Sequence, residues 1–130
     1  MTVRGTLQPG EYRLPGDVSS QFFTGLLYAL PLLDGPSTLI STTRLESVGY
    51  LNMTRQAMAQ FGVETEWKGQ SFRIPGGQHY QSTDCTVEAD WSQAAFWYAA
   101  QGVGNQVEVA GMDESSLQGD RVILEWGRML

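Results

Sequence analysis

Phe22, Phe23, Leu26, Leu27, Leu30 and Leu33 recur at steps of three and four residues. Only a helix with one face on a core satisfies that spacing. Breakers stand on both sides of it: Asp17 precedes it as an N-cap, and Pro31 with Asp34-Gly35-Pro36 closes it. Before it, Glu11-Tyr12-Arg13-Leu14 alternates as a short half-buried strand does and ends at Pro15-Gly16. After it, Thr38-Leu39-Ile40 reads as a second, buried strand. A second helix is expected from Val48 to Phe61, with Leu51, Met53, Ala57, Met58 and Phe61 as its apolar stripe and Gly62 as its C-cap. Val63–Trp67 and Ser71–Ile74 then read as a hairpin across Lys68-Gly69-Gln70. The order strand, helix, strand, helix, strand, strand predicts a mixed α/β (α+β) fold.

After Pro75-Gly76-Gly77 the same order begins again. Thr86-Val87-Glu88 reads as a strand, and Asp90 precedes a helix in which Trp91, Phe96, Trp97 and Tyr98 read as core. Gln106 to Ala110 reads as a strand and Leu117 to Leu130 as a helix. Asp17 then falls on Asp90 and Ser47 on Ser116, an imperfect internal repeat. The expected organisation is one βαβαββ unit over residues 1–80 and a partial second unit over 81–130. The second unit lacks a counterpart of the hairpin, so the chain is expected to be a piece of a longer protein.

Composition narrows the function classes. With 42% apolar and 17% charged residues over 130 positions, a core is available without staples. Cys85 is the sole cysteine, which excludes an internal disulfide and fits a reducing cytoplasm. No apolar run approaches the ~20 residues of a membrane span. The formal charge is −6 with a single lysine, Lys68, which weighs against nucleic acid and, at first sight, against any anionic ligand. His79 has no partner at metal-ligand spacing, and Cys85 has no basic neighbour to activate it. Neither a nucleophile–base pair nor a Gly-rich nucleotide loop is present.

Two segments retain chemical interest. Asp17-Val18-Ser19-Ser20-Gln21 lies at a strand-to-helix turn, where a helix leaves N–H groups unpaired and carries positive partial charge. Hydroxyls and an amide there can cradle a phosphate or carboxylate without any lysine. Glu46-Ser47-Val48-Gly49-Tyr50 stands at the start of the second helix and offers another hydroxyl and an aromatic rim. The same residues also suit plain helix capping. Capping is the simpler reading of each segment alone, but two helix starts at corresponding places on one sheet edge can converge on a common ligand.

Leu14-Pro15-Gly16-Asp17-Val18-Ser19-Ser20-Gln21-Phe22, followed by Leu26-Leu27-Tyr28-Ala29-Leu30-Pro31-Leu32, resembles the enolpyruvyl transferases, in particular their 3-phosphoshikimate 1-carboxyvinyltransferase branch. Ser47 to Thr54 is similar to that family's Ser-x-x-Tyr-x-x-x-Thr segment, and Phe72 to Tyr80, Val87 to Asp90 and Ser116 to Asp120 follow in its order. The resemblance implies repeated βαβαββ units and a site between two domains. It implies transfer of the enolpyruvyl group of phosphoenolpyruvate to the 5-hydroxyl of shikimate-3-phosphate, a step toward chorismate and the aromatic amino acids, with no cofactor or metal. By that resemblance Ser19, Ser20 and Gln21 hold shikimate-3-phosphate, Ser47 reaches its phosphate and Tyr50 lines its ring side. No catalytic residue falls within this stretch, and phosphoenolpyruvate would bind only with the remainder of the same enzyme. Two alternatives stay open: the sister transferase acting on UDP-N-acetylglucosamine, and a non-catalytic module that binds a phosphorylated ligand or scaffolds a partner.

Overall fold

A computed structural model of the chain describes residues 2–127. They group into two units, Met1–Thr83 and Asp84–Leu130.

In the first unit the strands are β1 (Glu11–Leu14), β2 (Ser37–Ser41), β3 (Glu66–Lys68) and β4 (Ser71–Ile74), in the sheet order β1-β2-β4-β3. β1 and β2 are parallel, with Tyr12 opposite Leu39, while β4 is antiparallel to both β2 and β3. Side chains alternate across the sheet. Leu39, Phe72 and Ile74 are fully buried on one face, with Tyr12, Leu14 and Trp67 partly buried beside them. Helices α1 (Ser20–Ala29) and α2 (Val48–Gln60) bring Phe23, Leu27, Leu51 and Met58 to the same core. Each such burial contributes about 1.5–3 kcal/mol. Phe72 sits at the centre, with ring centroids 6.1 Å from Phe23 and 4.8 Å from Trp67.

Some sequence expectations are corrected here. Phe22 belongs to the predicted stripe yet is 58% exposed, because the core-facing stripe is narrower, running through Phe23, Leu27 and Leu30. Leu30 already lies in a 3₁₀ turn, Leu30–Leu32, that tightens the end of α1 around Pro31. The hairpin is shorter than expected. Lys68 pairs with Ser71 across a two-residue turn, and Gly69 takes the positive φ of +61° that a tight hairpin turn requires.

α2 ends in a Schellman motif. Val63 N–H donates to the Met58 carbonyl at 2.9 Å and Gly62 N–H to that of Ala59 at 3.0 Å, with Gly62 left-handed at φ +80°. Val63 and Met58 are both buried, so the cap is also a core contact. Beyond α2, the Arg55 guanidinium donates to the Thr65 hydroxyl and carbonyl at 3.1 and 2.8 Å, tying the helix to the start of the hairpin.

The second unit contains α3 (Trp91–Gly102), a 3₁₀ turn (Gly119–Val122) and α4 (Ile123–Gly127). Asp90 caps α3, accepting from Ser92 and Gln93 N–H at 2.8 and 3.3 Å. The expected strands at Thr86–Glu88 and Gln106–Ala110 do not form among the described residues. A strand persists only where a neighbour completes its ladder. Gln118 braces α3 instead: its side chain accepts from Trp91 N–H at 2.8 Å and donates to the Ala89 carbonyl at 2.9 Å. Gln118 is therefore extended, and the helix predicted from Leu117 begins later; its last residues, 128–130, lie outside the described ones. Of the predicted aromatic core only Trp91 is buried, stacked on Tyr98 at 5.9 Å. Phe96 and Trp97 fall on the other side of α3 and are exposed. Cys85 is exposed and lies in no strand.

Candidate functional site

Because β1 and β2 are parallel neighbours, their C-terminal ends lie on one edge of the sheet, and the helix that follows each strand starts there. Open α/β sheets place ligands at this edge. The two intervening loops touch. Gly16 N–H donates to Thr43 Oγ1 at 2.8 Å, Thr43 Oγ1 donates to Asp17 Oδ1 at 2.8 Å, and Glu46 N–H donates to the Gly16 carbonyl at 3.0 Å.

Asp17 is thus engaged by Thr43 and does not cap α1. Ser19 does: its backbone is extended and its Oγ accepts from Gln21 N–H at 3.2 Å. A hydroxyl that accepts in this way keeps its own proton to donate. Ser47 precedes α2 in the left-handed region, at φ 54° and ψ 40°, and its side chain makes no capping hydrogen bond. The carbonyl of Ser47 accepts from Tyr50 N–H at 3.0 Å and closes the first turn.

These starts open onto one groove of about 560 Å³ between α1 and α2. Ser19, Ser20 and Gln21 line it from one side, Ser47 and Tyr50 from the other. All five residues singled out in the sequence meet at this one place. Thr24 and Thr54 form its floor, and Tyr28, Met53 and Ala57 its apolar end. The floor is a polar tie between the helices. Thr54 Oγ1 donates to the Tyr50 carbonyl at 2.9 Å, so it accepts from Thr24 Oγ1 at 3.0 Å. Behind Tyr28, the Tyr80 hydroxyl donates to the Tyr28 carbonyl at 3.0 Å. Burial, and secondarily the Tyr28 hydroxyl, raise the pKa of Tyr80 above the ordinary tyrosine value.

No lining residue is charged. The groove therefore offers neutral donors and two helix dipoles to an anion, and offers no acid or base within its lining. Among the described residues no His, Cys, Asp and Glu group is placed to hold a metal. Likewise no described helix is long and apolar enough to cross a membrane.

The family model for EPSP synthase (3-phosphoshikimate 1-carboxyvinyltransferase) matches residues 1–129. The chain belongs to the EPSP synthase family. Proteins named 3-phosphoshikimate 1-carboxyvinyltransferase are similar to it throughout. That of Clostridium kluyveri is 47% identical over 127 residues, covering 95% of this chain and 29% of the relative. That of Clostridium acetobutylicum is 45% identical over 126 residues, covering 96% and 29%. The Clostridioides difficile protein is 43% identical over 128 residues, with the same shares as the second. The chain thus spans 29% of the length of these EPSP synthase relatives.

In this EPSP synthase family member, sequence reasoning missed Thr24, Tyr28 and Thr54 on the groove and read Met53 and Ala57 as core. The signal was spacing. Thr24 and Tyr28 stand one and two turns beyond Ser20, and Thr54 one turn beyond Tyr50, so each shares a helix face with a site residue. Thr43 carries no comparable signal.

Proposed function

We propose that the groove is the part of a 3-phosphoshikimate 1-carboxyvinyltransferase that binds shikimate-3-phosphate, with Ser19, Ser20, Gln21 and Ser47 around the phosphate and Tyr50 beside the ring. The observation that carries this reading is the convergence of the helix starts that follow two parallel strands, both edged with uncharged donors, on one groove. The whole enzyme would transfer the enolpyruvyl group of phosphoenolpyruvate to the 5-hydroxyl of this ligand and release phosphate. The cations for phosphoenolpyruvate and the acid and base would come from parts of the family fold that this chain does not span. The reading includes a cytoplasmic protein built of repeated βαβαββ units, one over residues 1–80 and a partial one over 81–130. The β-α-β-α-β-β order of the first unit and the Asp90 cap of α3 support it.

Titrating the isotope-labelled chain with shikimate-3-phosphate by two-dimensional NMR tests the assignment. Saturable shifts at Ser19, Ser20, Gln21 and Ser47 amides are expected, with a dissociation constant of about 1 mM, worth about 4 kcal/mol. Equal binding of UDP-N-acetylglucosamine would move the assignment to the sister transferase. Absence of binding by either ligand would leave a scaffolding role. No turnover is expected from the chain alone with both substrates, and measurable product would overturn that.

Ser47→Gly separates backbone from hydroxyl. Ser47 holds φ 54°, which costs a non-glycine residue about 1 kcal/mol, whereas glycine adopts it freely but loses a similar amount of chain entropy. Thermal stability is therefore expected to stay nearly constant. Shikimate-3-phosphate affinity is expected to fall about tenfold, the effect of one hydrogen bond to a charged group.

A further inference from the structure

We propose that Thr43 is a positioning residue, whose hydroxyl fixes the spacing of the two helix starts although it does not line the groove. The role builds on the phosphate-site reading, since two loops can close on one anion at only one separation. Thr43 Oγ1 both accepts from the first loop, at Gly16 N–H, and donates to it, at Asp17 Oδ1. Serine or threonine can do this with one atom; valine has the same shape and does neither. Around it, Ser41 Oγ donates to the Thr43 carbonyl at 2.7 Å, and Glu46 N–H reaches the Gly16 carbonyl. Asp17 is two residues from Ser19, and Glu46 adjoins Ser47. Both serine-bearing segments are thus anchored to one cluster. The separation is also minimal: a Cβ on Gly16 would lie 2.2 Å from Ser41 Oγ and 3.1 Å from Leu45 Cα. An anion bound between the helix starts then meets preset donors and need not order them.

The test compares the chain with Thr43→Val, Thr43→Ser and Asp17→Ala by amide hydrogen exchange and shikimate-3-phosphate titration. Thr43→Val is expected to speed exchange at Gly16 and Glu46 by about tenfold and to weaken binding by about tenfold. Thr43→Ser should restore both. A merely structural threonine would instead speed exchange throughout the core, at Leu39 and Phe72 as well, and leave the affinity of the folded protein unchanged; that result overturns the proposal. If Thr43→Val does not fold, Asp17→Ala decides. It removes an exposed acceptor together with a negative charge near the anion, so exchange is its readout, expected to speed at Gly16 and Glu46 by about threefold; unchanged exchange overturns the role. Failure of the unmodified chain to bind shikimate-3-phosphate would sink the ligand assignment. The exchange at Gly16 and Glu46 would then decide by itself whether Thr43 holds the loops.

Discussion

Changing Ser19 to aspartate is expected to abolish detectable shikimate-3-phosphate binding while leaving the chain at least as stable as before. Ser19 Oγ caps α1 by accepting from Gln21 N–H, and the residue also lines the groove. Aspartate caps a helix as well as serine does, and its charge gains about 0.3–1 kcal/mol beside the positive end of the helix. Under the proposed function, the same carboxylate would face the phosphate of shikimate-3-phosphate. Two unit charges about 4 Å apart repel by about 4 kcal/mol at an effective dielectric constant of about 20. Even half of that weakens binding by more than about tenfold, and loss of the donated proton adds to it. A loss of about 100-fold is therefore expected. Ser19→Ala should behave differently, losing about 1 kcal/mol of cap stability and about tenfold in affinity. Melting curves and NMR titration of the two variants check the divergence. If Ser19→Asp retains binding, Ser19 is a cap and nothing more.

The elements of the first unit were legible because their limits are set by local chemistry. Pro15-Gly16 and Gly62 impose breaks that no distant contact needs to enforce. What the sequence concealed depends on partners far along the chain. Asp17 and Ser19 are equally good caps by type, and the choice falls to Ser19 because Thr43, 26 residues away, engages Asp17. Thr86–Glu88 and Gln106–Ala110 have strand composition, but composition does not supply a ladder. The left-handed backbone of Ser47 has no signature, since serine is not a residue that favours it. The five residues singled out by type and position all line the groove. The polar tie of Thr24 to Thr54 joins residues 30 apart in the chain, which residue type alone does not reveal. Net charge says nothing about the groove: the −6 counts acids over the whole chain, and none of them lines the groove.

Alanine at Gly76 is expected to destabilise the first unit by about 3 kcal/mol or more, while alanine at the adjacent Gly77 costs about 1 kcal/mol. Both glycines read in the sequence as a simple break, and the structure separates them. A Cβ on Gly76 would lie 2.1 Å from the Gly35 carbonyl oxygen, 2.4 Å from its carbon and 2.6 Å from the Leu33 oxygen. All three atoms are backbone and cannot rotate away. Making room would pull the segment off the end of α1 and with it the bonds from Gly77 N–H to Leu33 (2.6 Å) and Gln78 N–H to Pro31 (2.9 Å), each worth about 1 kcal/mol. Gly77 has φ +69° and nothing within 4 Å of its Cβ direction, so its cost is conformational alone. For a unit of this size, 3 kcal/mol corresponds to a fall in melting temperature of roughly 15 °C. Tyr80, three residues beyond Gly77, should lose its hydrogen bond to Tyr28 in the Gly76 variant and keep it in the Gly77 variant. Equal melting temperatures for the two would mean that segment 75–78 does not dock against residues 31–35 in solution.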